Sequence, residues 1–263
     1  MGTVLIDGGY FVGRFEKHWS RHGKKNMRYW WEAGKRREIT KEELFSHLNR
    51  IFSYDMSYLR MRINEMDFPC RVIVCYDGVY GRRPRGNLYA EYKMNRRGSV
   101  EAHQHKGIDV RERIIKCGYD PNALELWWSS DYDELMEADD LIAELCNALP
   151  RSEEIVVMSK DQDLFQLLEL ENVRIHDFTK MITREDFIEK FGILPEQYVD
   201  YKALAGDASD NIPGVKGIGG KTARKLLRKY GDLDSIPEEE LKGYSRENIE
   251  IWRRITQIPY HSA

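Results

Sequence analysis

The sequence lacks any apolar stretch long enough to cross a membrane, and its N-terminus lacks the charged-then-apolar pattern of a secretory signal. Its four cysteines form no C-x-x-C pair and have no zinc-ligand spacing with histidine, so neither a zinc site nor a disulfide framework is expected. No internal repeat or low-complexity segment is present. We therefore expect an intracellular, soluble protein of 263 residues with one large core and a smaller appended region.

The formal net charge of −3 conceals a very uneven distribution of charged residues. Lysine and arginine dominate residues 14–37, 82–116 and 216–230, whereas residues 120–171 carry fifteen acids and two bases. Basic segments can bind phosphates, and an acidic segment can concentrate cations. Any one of these segments could be an ordinary solvated surface, but their combination favours a protein that binds a polyanion.

Acidic residues follow three short apolar runs that are predicted to be buried strands, at residues 3–6, 71–76 and 155–158. Asp7, Asp77 and Asp161 stand at or just beyond the ends of these runs. An acid in such a place is often only a turn former. The carboxyl ends of parallel strands nevertheless meet at one edge of a sheet, where binding sites assemble.

A further acidic cluster, MEADD, begins a helix predicted to end near residue 149. The helix dipole would account for one or two acids at this position, but Glu137, Asp139 and Asp140 are three within four residues. Carboxylates crowded together raise one another's pKa and oppose folding unless cations are bound. The sequence therefore predicts a divalent metal site at the sheet edge.

Residues 202–231 place two kinds of chemistry side by side. Asp207 and Asp210 are three apart, which lets two carboxylates converge on one hard cation. A glycine-rich turn at residues 214–220 then precedes a basic helix at residues 222–230, and free backbone N–H groups there would bind phosphate. Each half alone is a common structural feature, whereas both together favour a metal site beside a nucleic-acid backbone.

The remaining segments are less specific. The basic segment at residues 79–106 contains EYKMNR, predicted as a short helix with Lys93 and Arg96 on one face. Cations mixed with aromatics at residues 24–31 could stack on a nucleic-acid end or simply pack on the core. Further strands are predicted at 123–128 and 173–176, and further helices at 41–66, 107–117, 185–191, 196–204, 238–241 and 246–258.

Seven motifs in register, LIDGG, YDG, EYKMNR, MEADD, SKDQD, GDASDN and GIGGKTA, resemble those of the 5′-nuclease superfamily. That superfamily includes bacteriophage flap endonucleases and the 5′-3′ exonuclease domain of bacterial DNA polymerase I. The resemblance implies an α/β, PIN-like core over residues 1–193, with a central, mostly parallel sheet flanked by helices. It also implies a helical arch or gateway at residues 79–106, and a helical DNA-binding region at 194–263 with a helix-three-turn-helix around 202–231.

The resemblance also assigns site residues. The first metal site would comprise Asp7, Asp77, Glu137, Asp139 and Asp140, and the second Asp161, Asp163, Asp207 and Asp210. Direct catalytic roles would fall to Asp7, Lys93, Arg96 and Asp140. The DNA contacts would be made by Arg14, Tyr92, Lys93, Arg96, Lys202, Gly214, Gly217, Gly219, Lys221 and Thr222. The implied cofactors are two or more Mg²⁺ ions, replaceable by Mn²⁺, with K⁺ as a candidate in the glycine turn.

These features together lead us to expect a monomeric, cytoplasmic, Mg²⁺-dependent flap endonuclease and 5′-3′ exonuclease. It would act at 5′ ends, flaps or nicks of duplex DNA, and on RNA primers in RNA:DNA hybrids, in replication or repair. Two cations roughly 4 Å apart would activate water and stabilise the departing oxyanion, while Lys93 and Arg96 neutralise charge on the phosphate. No polymerase region follows, so a free-standing, phage-type form is expected.

Two other classes of function remain open from the sequence. A non-catalytic DNA-binding protein would keep the glycine turn and the basic segments but would not need nine aligned acids. A PIN-like ribonuclease would keep the acids but not the glycine turn.

Overall fold

The computed structural model describes residues 2–8, 29–32, 35–38, 70–77, 81–95, 125–128 and 135–260. The predicted helices at 41–66 and 107–117 lie outside the described residues, as do Arg14 and Arg96. The described part of residues 79–106 is the stretch 81–95. In the described part of the chain, no helix has the length and apolar character needed to span a bilayer.

The described residues form two sheets and a series of helices. The strands are β1 (Gly2–Asp7), β2 (Tyr29–Glu32), β3 (Lys35–Glu38), β4 (Cys70–Tyr76), β5 (Glu125–Trp128), β6 (Glu154–Met158), β7 (Val173–His176) and β8 (Met181–Ile182). The α-helices are α1 (Arg83–Leu88), α2 (Ala138–Ala148), α3 (Arg184–Phe191), α4 (Tyr198–Ala205), α5 (Gly220–Tyr230) and α6 (Arg246–Thr256). Short 3₁₀ helices span Asp163–Glu169, Pro195–Gln197 and Glu238–Leu241.

The main sheet has six strands in the order β5-β4-β1-β6-β7-β8. All neighbours pair in parallel except β8, which is antiparallel to β7. In the middle of the sheet Leu5 of β1 lies opposite Ile73 of β4 and Val157 of β6. Three adjacent strands therefore end at the same edge, which confirms the predicted α/β architecture and the predicted position of the acids that follow them.

The core is continuous from the sheet to the C-terminal helices. β1 is buried on both faces, as expected for a central parallel strand, and α2 packs its apolar face, including Leu141 and Ile142, against the sheet. The aromatic rings of Phe165, Phe187 and Tyr198 meet with centroids 5.3–6.1 Å apart and join the 3₁₀ helix to α3 and α4. The division predicted at residue 193 stays a prediction.

One local prediction was wrong, and one short helix was not predicted. Residues 90–95 form turns rather than a helix, and Lys93 has a φ of +53°, which an α-helix cannot contain. The helix in this segment is α1, several residues earlier. The 3₁₀ helix Asp163–Glu169 was not predicted, because its apolar residues follow β6 closely and show no clear helical period.

The turn between α4 and α5 depends on close backbone contact. Gly206, directly after the last residue of α4, has a φ of +83°. Gly214, at the far end of the same loop, has a φ of +66°. A Cβ atom at Gly214 would lie 2.3 Å from the backbone nitrogen of Gly206. Between them, Asp207 and Ile212 exchange two backbone hydrogen bonds of 2.8 Å. The two glycines therefore close the loop that holds Asp207 and Asp210.

We expect Gly214→Ala to lower the free energy of unfolding by roughly 2–4 kcal/mol, through backbone strain and overpacking. Gly86→Ala is the control, because a Cβ there meets nothing within 4 Å and Gly86 lies inside α1. That change should raise the free energy of unfolding by up to about 1 kcal/mol. Denaturant titration measures both, and a Gly214→Ala variant as stable as the wild type would contradict the close packing.

Candidate metal centre and nucleic-acid interface

The three acids that follow the central strands are fixed by hydrogen bonds at the sheet edge. Asp7 is the last residue of β1, and its carboxylate accepts a 2.7 Å bond from the Ser159 hydroxyl. That hydroxyl oxygen in turn accepts a 2.9 Å bond from the N–H of Asp161. Asp77 accepts a 2.9 Å bond from the N–H of Ala138, the first residue of α2. The Asp161 carboxylate accepts a 3.0 Å bond from the N–H of Asp163, so each of the three carboxylates is oriented by a hydrogen bond.

Asp139 joins them to make what we call the first acidic group: Asp7, Asp77, Asp139 and Asp161. Burial raises the pKa of Asp139 well above its ordinary value, and the charges of Asp161, Asp7 and Asp77 raise it further. Carboxylates near enough to raise the pKa of a neighbouring carboxyl favour the binding of protons or cations among them. The first acidic group therefore has the composition of a site for a hard cation.

Asp163, Asp207 and Asp210 form the second acidic group. Each offers one carboxylate oxygen, and these atoms all lie within 4.8 Å of one another. Asp163 begins the 3₁₀ helix after β6, whereas the other two lie in the loop after α4. Oxygen ligands from separate elements suit Mg²⁺, Mn²⁺ or Ca²⁺.

The ammonium of Lys202 already lies against the second acidic group. Lys202 is 4% exposed, and its Nζ pairs with the carboxylates of Asp163 and Asp207. Burial would raise the pKa of Asp207, but Lys202 and the hydroxyl and N–H of Ser209 outweigh it and hold the pKa at about 2. The pairing shows that this group accommodates a positive charge. The predicted contact of Lys202 with duplex DNA stays a prediction, and in this structure its ammonium is buried and paired.

Glu137 binds the basic segment next to these two groups. Its carboxylate accepts hydrogen bonds from Lys93 Nζ at 2.9 Å, from the Tyr92 hydroxyl at 2.9 Å and from Arg85 Nη1 at 3.0 Å. Burial alone would raise the pKa of Glu137, but the charges of Lys93 and Arg85 lower it to about 2. The N–H of Lys93 also donates to the carbonyl of Asp210 at 3.0 Å. Lys93 is therefore held between Glu137 and the second acidic group.

Tyr92 was expected to contact DNA, but it is 8% exposed and its hydroxyl is bound to Glu137. The structure places it in the core of this segment. Its hydroxyl thus helps to orient Glu137, and its predicted DNA contact stays a prediction.

Asp140 does not belong with the metal-binding carboxylates. It is 2% exposed, and Arg85 donates to both of its oxygens at 2.7 Å. The N–H groups of Tyr260 and Glu137 fill the remaining lone-pair positions at 2.8 and 3.2 Å. A carboxylate has about four such positions, so none is left for a metal. The predicted metal and catalytic roles of Asp140 are therefore corrected to an ion pair with Arg85.

Arg85 is the residue that sequence reasoning missed. In the sequence it is one of several arginines in a basic segment that reads as a solvated surface. In the structure it is 2% exposed and paired with two acids more than fifty residues away. In the sequence, the only feature that distinguishes Arg85 is its position after a proline at the start of a short helix, and that signal is weak.

The glycine turn and α5 form a separate basic surface. Gly217, Gly219, Lys221 and Thr222 are exposed there, and the first turn of α5 contains no acid. Gly214 is buried against Gly206, which corrects its predicted DNA contact to a packing role. The carbonyl of Gly217, part of the turn proposed for K⁺, accepts a 2.7 Å hydrogen bond from Lys242 Nζ. An ammonium thus lies at this carbonyl in the structure.

Replacement of Asp139 by asparagine and replacement of the adjacent Asp140 by asparagine should shift the melting temperature in opposite directions. A raised pKa means that the folded protein binds the Asp139 proton more tightly than the unfolded chain does. The bound proton therefore stabilises the folded protein. This stabilisation is complete below pH about 4 and is lost as the pH rises through the raised pKa of Asp139. Metal-free Asp139→Asn should therefore melt above the wild type at pH 8, by roughly 3 °C for each unit of pKa shift. The difference should vanish near pH 4.

Asp140→Asn serves as the matched comparison. It removes the carboxylate that binds both Nη atoms of the buried Arg85 and leaves Glu137 as a partner, which we expect to cost about 3–5 kcal/mol and to lower the melting temperature. Thermal denaturation in chelator at several pH values measures both variants. A higher melting temperature for Asp140→Asn at pH 8 would return Asp140 to the first acidic group.

Comparison with known protein families gives two matches that cover most of the chain. The model for the 5'-3' exonuclease N-terminal resolvase-like domain matches residues 47–192. The model for the 5'-3' exonuclease C-terminal SAM fold matches residues 193–257.

Individual relatives agree with these matches. The chain is 46% identical to the thermostable DNA polymerase I of Thermus thermophilus over 190 residues, which is 66% of this chain and 22% of the relative. It is 35% identical to the 5'-3' exonuclease of Bacillus subtilis over 177 residues, which is 65% of this chain and 56% of the relative. The chain thus spans between about a fifth and just over half the length of these two relatives.

Solved structures show the same fold at lower identity. The T5 D15 protein co-crystallised with metal ions superposes with a TM-score of 0.64 at 19% identity, covering 97% of this chain and 86% of that one. The catalytic core of Rad2 in complex with DNA substrate gives 0.52 at 14% identity, covering 97% and 72%. On the strength of the two family matches and these relatives, the chain belongs to the 5'-3' exonuclease family.

Proposed function

We propose that the protein is a metal-dependent 5′ nuclease that hydrolyses phosphodiester bonds near 5′ ends, flaps or nicks of duplex DNA. The observation that carries the proposal is the second acidic group, whose carboxylate oxygens lie within 4.8 Å of one another, with Lys93 held between this group and Glu137. Membership of the 5'-3' exonuclease family supports it. So do the relatives, one solved with metal ions and another with a DNA substrate.

The proposed cofactor is Mg²⁺, with Mn²⁺ as a substitute, because the donor set consists of carboxylate oxygens. One cation would be held by Asp7, Asp77, Asp139 and Asp161. A second would be held by the second acidic group, and Lys202 would then release Asp163 and Asp207. Bound divalent cations supply Lewis-acid stabilisation of phosphate charge and lower the pKa of water.

Lys93 is proposed to act on the phosphate. Its ammonium is 8% exposed and fixed by the 2.9 Å bond to Glu137, so it needs little reorganisation to face a developing negative charge. A charge in a water-poor site interacts more strongly than one in solvent. Arg96, three residues later, is proposed for the same role.

The basic surface at the glycine turn is proposed to hold the duplex. The N-terminus of α5 presents free N–H groups and a favourable dipole to a phosphate, and Lys221 and Thr222 lie beside it. Such contacts position a duplex without reading its bases. Selectivity for flaps and nicks over particular sequences would follow. The same contacts could accept an RNA primer annealed to DNA.

End-labelled flap, nicked and single-stranded DNA, together with an RNA:DNA hybrid, test the proposal in Mg²⁺ and in chelator. We expect Mg²⁺-dependent release of short products from the flap and nicked duplexes, and loss of this activity in Asp207→Asn. Binding without cleavage would indicate a non-catalytic DNA-binding protein. A preference for single-stranded RNA would indicate a PIN-like ribonuclease.

Lys93 and Lys221 should have separable effects. Lys93→Ala removes charge at the phosphate and should lower kcat about 100-fold while changing duplex affinity little. Lys221→Ala removes one phosphate contact, and should weaken binding and reduce the slope of log K against log salt by about 0.9. Lys229→Ala, at the other end of α5, is the control for the second variant. Single-turnover kinetics and salt-dependent binding measure these effects. The assignment would be contradicted if all three variants behaved alike.

A further inference from the structure

Residues 255–260, the end of α6 and the chain that follows it, are bound by Arg85. All five N–H donors of Arg85 are used. Nε donates to the carbonyl of Ile255 at 2.9 Å, and one Nη2 hydrogen donates to the carbonyl of Gln257 at 3.0 Å. The other three donate to Asp140 and Glu137. One buried guanidinium thus joins the C-terminal segment to the carboxylate that holds Lys93.

The same segment reaches Asp140 directly. The N–H of Tyr260 donates to Asp140 at 2.8 Å, and the ring of Tyr260 covers the guanidinium of Arg85 with its centroid 4.8 Å from Cζ. The Tyr260 hydroxyl lies 3.5 Å from the carbonyl of Pro84 in α1. Aromatic cover of this kind excludes water from the ion pair and strengthens it.

Gln166 binds the segment from the other side. Its Nε2 donates to the carbonyl of Thr256 at 3.0 Å, and its Oε1 accepts from the N–H of Ile258 at 3.2 Å. Gln166 is 5% exposed and lies on the 3₁₀ helix that begins with Asp163, a member of the second acidic group. The segment therefore contacts the elements that carry Glu137, Lys93 and Asp163.

We propose that residues 255–260 are a positioning element for the nuclease site, with Arg85 and Gln166 as its positioning residues. The segment fixes α1, the start of α2 and the 3₁₀ helix relative to one another. Glu137 then has one orientation, and Lys93 is held at one distance from both acidic groups. Groups that orient metal ligands and catalytic side chains commonly affect metal affinity or activity 10–100-fold when removed.

If the hydrogen bonds of Arg85 and Gln166 served only to stabilise the fold, the variants would behave differently. If these bonds served stability alone, their loss would lower the melting temperature without altering the site of the folded protein. If they position the site, their loss should also loosen residues 81–95 in the folded state and weaken metal binding. The consequence for cleavage rests on the proposed nuclease function, whereas the other two do not.

The test compares Gln166→Met with Gln197→Met. Gln197 is a matched control, because its side-chain amide also donates to backbone carbonyls, those of Leu227 and Gly231, and accepts from a backbone N–H, that of Leu194. These partners lie away from Arg85. Arg85→Lys is a second variant, since lysine keeps the charge but offers three donors in place of five.

Three measurements are made on each full-length variant well below its melting temperature: hydrogen exchange, Mn²⁺ binding by calorimetry, and flap cleavage at saturating DNA. Gln166→Met and Arg85→Lys should raise amide exchange within residues 81–95 and weaken Mn²⁺ binding about tenfold. They should also lower kcat by a similar factor, with KM for DNA within twofold. Gln197→Met should leave all three unchanged while lowering the melting temperature.

Equal exchange and equal Mn²⁺ affinity in the Gln166, Gln197 and wild-type proteins would overturn the positioning role. Cleavage by the wild type tests the proposed function separately. A wild type that binds Mn²⁺ but does not cut DNA would remove the nuclease proposal, and exchange and metal binding would still decide the role of the C-terminal segment.

Discussion

Repulsion between carboxylates is the constraint around which this structure is arranged. Parallel strands deliver acids to one sheet edge, where partial burial makes each charge more costly than it would be in water. The protein offsets part of this with its own cations. Lys93 and Arg85 lower the pKa of Glu137, and Lys202 does the same for Asp207. For Asp139, burial and the charges of Asp161, Asp7 and Asp77 outweigh the charge of Lys93, and its pKa is raised. Bound metal would neutralise the carboxylate charge that these side-chain cations leave.

The internal cations divide the nine predicted ligands into different kinds. Asp140 is fully occupied by Arg85 and two backbone N–H groups, whereas Glu137 is bound to Lys93, Tyr92 and Arg85. The first and second acidic groups keep carboxylate oxygens that face other carboxylates. Acids that are neighbours in the sequence therefore have different surroundings: Asp140 is paired with Arg85, whereas Asp139 lies near other carboxylates that raise its pKa.

The sequence predicted what depends on local pattern. Alternation of apolar runs with glycine and aspartate located β1, β4 and β6, and the end of each strand located Asp7, Asp77 and Asp161. It could not predict the roles of Lys202, Arg85 or Asp140, because each depends on partners brought from distant segments. The helix expected at Lys93 failed for another reason. The backbone N–H of that residue bonds to the carbonyl of Asp210, and this long-range bond outweighs local helical preference.

The loop between Gly206 and Gly214 connects the second acidic group to the glycine turn before α5. It carries Asp207 and Asp210, is crossed by the paired backbone bonds of Asp207 and Ile212, and leads directly into the turn before α5. The residue after Gly214, Val215, is itself bonded to the carbonyl of Leu204 at 2.8 Å. Backbone hydrogen bonds therefore tie the loop that carries Asp207 and Asp210 to the glycine turn that follows it. In a nuclease built this way, the number of nucleotides between the cut and the held duplex is a fixed length of protein backbone, independent of base sequence.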